Sequence, residues 1–260
     1  MPRSSRPLRV FVITEDDPLY VIRFFDVFLA EYPRDRIEIA GITVSKAFHE
    51  PLWRTARRVL RFYGPLDFAR LLGKWMLAKL SGRRIGALAR RMGIPVIEAD
   101  SVNSRAFQER LSALEVDLVV SVAAPEVFKA PLLSIPRFGC INIHSGRLPQ
   151  YRGMMPTFWQ MRAGEKAATV TIHEMAEKLD AGGIIASLDF PLMAKDSLDR
   201  VIVGTKEAGA RLMIETLLRF DPPTDARPPA TPIDIDTGSY NRFPDPTAVR
   251  EFRARGHRML

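Results

Sequence analysis

Apolar residues arrive along this chain in two rhythms, and the switches between them mark out its elements. Leu8 to Ile13, apolar but for Arg9, reads as a strand of a buried sheet, and Ile37 to Val44 as a second. Between them Pro18 is placed to open a helix running to about Glu31. From Leu52 the apolar positions Ala56, Val59 and Leu60, then Leu71, Leu72, Trp75, Met76 and Leu80, recur at helical spacing. Tyr63-Gly64-Pro65 breaks that pattern and Ser81-Gly82 ends it. A helix over Ile85 to Met92 and a strand over Ile94 to Ile97 follow. Then come a helix from Ser104, its N-cap, to Leu114 and a buried strand over Val116 to Val122. Cys140 to His144 reads as a short strand, with Ile141 and Ile143 on one face and Asn142 and His144 on the other. Met154 to Gly164 is helical, and the runs Ala168 to Met175 and Gly183 to Phe190 are strands. Lys195 to Leu198 caps a long helix to about Phe220. Asp221 to Pro232, rich in Pro and Asp, is a linker or extended cover, and Thr237 to Leu260 is a short basic tail with a helix from Thr247.

Strands and helices that alternate in this way specify an α/β protein with an open sheet, whose chemistry sits at strand ends. Asn142 and His144 project side by side from such an end into a loop punctuated by Gly146, Pro149 and Gly153. A third polar group, Asp180, lies in Leu179-Asp180-Ala181-Gly182-Gly183, again a loop before an apolar strand.

These motifs, in order, are Asn-x-His, a Leu-Pro-x-Tyr-Arg-Gly loop, the strand Val170-Thr171-Ile172-His173 and a Leu-Asp-x-Gly turn. Together they resemble the folate-dependent formyltransferases, firmly from about Asp117 to Phe190. The resemblance implies a Rossmann-like fold with a mostly parallel central sheet, helices on both faces and a short C-terminal extension. It also implies transfer of a formyl group from 10-formyltetrahydrofolate to a primary amine, with Asn142, His144 and Asp180 as the catalytic trio. Formyl transfer develops an oxyanion and moves a proton, so it needs an amide donor and an imidazole held by a carboxylate. The exit Ser121-Val122-Ala123-Ala124-Pro125-Glu126-Val127 resembles the loop whose backbone lines the pterin pocket, and Glu177 and Leu179 join the folate side. Tyr151, Arg152, Gly153 and Met154 fall on the acceptor side, and His173 alternates with Ile172 so that it can face the same cleft. One departure is plain: Gly146-Arg147-Leu148-Pro149 stands where the family has Ser-Leu-Leu-Pro.

Composition narrows the acceptor. The 260 residues are 47% hydrophobic, enough for one large domain, 1–220, with a linker and tail over 221–260. No run of 18 apolar residues exists, so no membrane span is expected, and a signal peptide is not expected either. Cys140 is the only cysteine, which excludes an internal disulfide and suits a reducing cytoplasm. His49, His173 and His257 lack metal-ligand spacing, so no metal is expected. The acidic exit Glu15-Asp16-Asp17 has no glycine-rich loop, which disfavours nicotinamide cofactors and glycinamide ribonucleotide alike. A nucleotide-linked amino sugar or another small amine is therefore the leading acceptor. A methionyl-tRNA formyltransferase-like enzyme, a formyltetrahydrofolate hydrolase and a non-catalytic folate-binding module are the alternatives, and a homodimer stays open.

Charge is local. Residues 51–92, a basic helical insertion, hold eleven Lys and Arg against Asp67 alone, a balance of +10 in a chain of net +8. This segment reads as a pair of helices packed on the sheet with snorkelling arginines. It reads equally as a surface for anionic phospholipid, for a nucleotide-bearing acceptor or for tRNA.

Overall fold

Val10 and Val12 point to one side of the first strand, Phe11 and Ile13 to the other, and all four are buried. A strand with two apolar faces needs cover on both, and the chain builds its layers accordingly. The structure, a computed structural model, describes residues 6–45 and 51–260. His49 lies outside the described residues. β1 (Leu8–Glu15), β2 (Ile37–Ser45), β3 (Leu118–Val122) and β4 (Cys140–His144) run parallel, and β6 (Ala167–Glu174) and β7 (Ile184–Pro191) complete the sheet antiparallel, in the order β2-β1-β3-β4-β6-β7. On one face α1 (Val21–Glu31), α4 (Ile85–Arg91) and α8 (Leu198–Leu217) enclose Val10, Val12, Val120, Ile141 and Ile143. On the other, α5 (Arg105–Ala113) and α6 (Ala130–Leu133) set Phe107, Leu111 and Leu132 against Phe11, Val119 and Cys140. The expected cap of α5 is present: Ser104 accepts from the Phe107 N–H. This is the mostly parallel, two-sided architecture that the sequence implies.

Three expectations shift. Pro18 does not open α1. The Asp17 carboxylate accepts from Leu19 N (2.8 Å) and Tyr20 N (3.2 Å), a tight turn that delays the helix to Val21. Ile94 to Ile97 is not a strand but a single bridge from Val96 to Ile42, because Pro95 has no N–H to continue a ladder. Finally, α2 (Leu52–Tyr63) and α3 (Pro65–Leu80), hinged at Gly64, stay out of the two clusters that cover the middle of the sheet. Phe62 and Tyr63 instead enter a third cluster with Phe158 of α7 (Pro156–Ala163) and Phe252 of α9 (Pro246–Ala254). The C-terminal segment is thus part of the core, and its β8 (Tyr240–Asn241) pairs with β5 (Arg152–Gly153).

Candidate active site

β4 carries Asn142 and His144 to the end of the parallel sheet, and the antiparallel register of β6 sets His173 opposite Asn142. His173 is buried, and its Nδ1–H donates to the Glu174 carbonyl at 2.7 Å. Its Nε2 is left as the acceptor for the Asn142 amide, 3.1 Å away. Burial first, and then the neighbouring His144, hold the His173 imidazole down to about 4, against the pull of Asp180. A neutral His173 therefore orients the Asn142 amide and leaves its second N–H for a ligand.

His144 Nε2–H donates to the Tyr151 carbonyl at 2.7 Å, so the ring presents Nδ1 to Asp180 Oδ1 at 3.7 Å. The same oxygen stands 3.8 Å from His173 Nε2. Neither distance is a hydrogen bond; the carboxylate acts as a fixed charge between two rings. It is held from behind, since Oδ2 accepts from the Gly153 N–H at 2.9 Å. Asp180 itself adopts φ 49°, a left-handed conformation that costs a non-glycine residue and is kept up by its surroundings. Arg152 supplies part of that hold by donating to the Leu179 carbonyl at 2.8 Å.

The loop between His144 and α7 closes tightly over these groups. A Cβ at Gly146 would come within 2.6 Å of Pro156 Cβ and 2.9 Å of His144 Nε2. Glycine at this point is what lets the loop fold back on the imidazole. Gly153 has φ +90°, and its missing Cβ makes room for the Asn241 carbonyl on β8. Arg147, the departure from the family pattern, donates to Thr169 Oγ1 and Glu165, so it braces the loop. Tyr151 donates its hydroxyl to Glu165 at 2.7 Å, and burial with Glu165 pushes the phenol up to about 12. Tyr151 and Arg152 thus sit at the site but turn their side chains to Glu165 and Leu179, while Met154 is exposed beside them.

At the exit of β3, Ser121 and Val122 are buried, and Ala123 turns the chain at φ 53°. Ala124 and Pro125 are half-buried, and Val127 is exposed. The loop is braced from outside: Glu126 accepts from Ser101 Oγ at 2.6 Å, and Asn103 Nδ2 donates to the Val127 carbonyl at 2.9 Å. Small side chains on a fixed backbone suit a flat heterocycle read by main-chain hydrogen bonds. Glu177 and Leu179 lie exposed in the Asp180 turn.

The sequence reading did not place Lys206. From α8 it reaches Ser145 Oγ at 3.2 Å. Removal from water lowers its ammonium pKa, opposed by the Asp17 and Glu15 carboxylates. Burial and then Asp17 raise the Glu15 carboxyl to about 7. Acidic residues directly after a buried strand were the available signal; the lysine lay on a helix legible only through its apolar stripe.

Residues 75–217 match the family model described as Formyl transferase. A methionyl-tRNA formyltransferase from Bacillus licheniformis is 37% identical over 132 residues, 51% of this chain and 42% of its own length. The chain spans about half the length of the curated relatives it matches. The crystal structure of glycinamide ribonucleotide transformylase 1 from Symbiobacterium toebii superposes with a TM-score of 0.58 at 21% identity, covering 83% of this chain and 87% of that one. A sugar N-formyltransferase from a Shewanella species gives a TM-score of 0.52 at 19% identity, covering 90% and 76%. At these identities the two structures share the fold.

Proposed function

The chain belongs to the formyl transferase family, and we propose that it moves a formyl group from 10-formyltetrahydrofolate to a primary amine of a small acceptor, such as a nucleotide-linked amino sugar. The convergence of Asn142, His144 and Asp180 at the end of β4 carries this reading. The folate supplies the formyl carbon and a nitrogen that can leave. Asn142 donates its free N–H to the formyl oxygen as negative charge develops there, a role that typically contributes a hundred-fold or more. His144 takes the proton of the attacking amine at Nδ1 and returns it to the departing nitrogen, as the new C–N bond forms and the old one breaks. Asp180 offsets the positive charge that this transfer places on the ring. The acidic exit of β1 supports an acceptor that does not put phosphate against Glu15 and Asp17.

A second reading, methionyl-tRNA as acceptor, is favoured by the names of the curated relatives and by the basic insertion. The purified chain, given 10-formyltetrahydrofolate with a nucleotide-linked amino sugar, with charged initiator tRNA or with no amine, separates these readings by release of tetrahydrofolate. Sugar-dependent release is expected. Release only with tRNA would move the acceptor to the second reading, and release without amine would make the chain a hydrolase. No release under any condition would sink formyl transfer itself.

A further inference from the structure

Helix α3 has two apolar faces, and the fold uses one. At about 100° per residue, Phe68, Leu71, Trp75 and Ala78 fall together, and all are half-buried. Leu66, Ala69, Leu72, Met76, Leu77 and Leu80 fall together on the other side, in an arc of roughly 140°, and every one is exposed. Leu80 is 81% exposed, Leu66 76% and Leu77 69%, values foreign to leucines that only need to fold. Arg70 and Lys74 border the arc on one edge and Lys79 on the other. On α2 the exposed Trp53 and Leu60 stand beside Arg54, Arg57 and Arg61.

We propose that the α2–α3 hairpin docks this chain on an anionic phospholipid surface, lying in the interface. Leucines enter the acyl boundary while lysines and arginines, reaching outward on their long stems, meet phosphate headgroups. Two other occupants fit worse. A second copy of this face would oppose one basic hairpin to another, each with seven Lys and Arg against Asp67 alone over residues 52–80. A nucleic acid would satisfy the cations but offers nothing to Leu66, Leu77 and Leu80. Nor does the helix cross the bilayer. Its 16 residues extend about 24 Å, short of a hydrocarbon core of about 30 Å, and no helix among the described residues is long and apolar enough to span. The inference stands apart from the choice of acceptor.

Co-sedimentation of the full chain with phosphatidylcholine vesicles containing roughly a third phosphatidylglycerol tests it, against vesicles of phosphatidylcholine alone. Binding at least about tenfold tighter to the anionic vesicles is expected. The triple variant Leu66→Gln, Leu77→Gln, Leu80→Gln, with every cation kept, should lose about tenfold or more while its melting temperature holds. Tryptophan placed by Leu77→Trp should shift its emission to the blue on the same vesicles. Equal binding by wild type and the triple variant would reduce the contact to charge and overturn the proposal. So would an unshifted tryptophan, or a concentration-dependent dimer that the triple variant abolishes while neither chain binds vesicles.

Discussion

Polar groups at the end of β4 are held from several sides, whereas Leu66, Leu77 and Leu80 of α3 are left mostly in the open. Asn142 has His173, His144 has the Tyr151 carbonyl, and Asp180 has the Gly153 N–H. Each partner comes from a different element, so the site is rigid before any ligand arrives, as electrostatic catalysis requires. The hairpin breaks the opposite rule. Its apolar arc lacks the burial that would explain it, and an unexplained apolar face implies a partner outside the chain. One region is marked by satisfied polar groups, the other by apolar ones that the fold leaves exposed.

Breaking the first region has the largest effect. His144→Ala or Asn142→Ala should lower formyl transfer about a hundred-fold or more while folate affinity stays within a few-fold. Parallel losses of affinity and turnover would mean that the pair only supports the fold. Gly153→Val is expected to cost about tenfold in kcat, because its Cβ would lie 2.4 Å from the Asn241 carbonyl and displace the N–H that holds Asp180. A Gly153→Val enzyme with wild-type kcat would detach Asp180 from the mechanism.

Two groups near the site, half-buried Glu15 and buried His173, oppose each other in pH dependence. The carboxyl of Glu15 is raised from 4.5 to about 7, so the stability it adds is present below pH 4.5 and lost as pH climbs through 7. His173 is lowered from 6.5 to about 4, so stability is gained as pH climbs from 4 to 6.5. Each effect is on the order of 3 kcal/mol, and together they flatten the profile. Glu15→Gln should therefore expose a rise in melting temperature between these pH values that wild type lacks. A Glu15→Gln profile as flat as wild type's would contradict the pairing. Smallest of all is the expected effect of Leu66→Gln and Leu77→Gln on stability, within about 0.5 kcal/mol, since neither side chain is buried. A larger loss in thermal unfolding would show that the arc is packed after all.

The strands were legible because buried runs such as Leu8–Ile13 and Val116–Val122 carry their own signal, and Asn142, His144 and Asp180 were singled out because the motifs around them resemble the formyltransferases. Less was legible where a side chain replaced a backbone rule, as Asp17 did ahead of α1. Periodicity marked α3 as a helix but could not say which apolar stripe would meet the fold, or that Phe68 and Leu71 would join the cluster built around Phe62, Phe158 and Phe252. Nor does sequence spacing contain the bond from Asn142 to His173, which exists only through the register of β4 against β6.

Hydrogen exchange with and without a stable 10-formyltetrahydrofolate analogue tests most directly whether the folate chemistry belongs to the β4 end. Residues 122–127 and 177–182 should become protected together, with 51–92 unchanged. Protection confined to 51–92, or none at all at saturating analogue, would contradict the placement of the site.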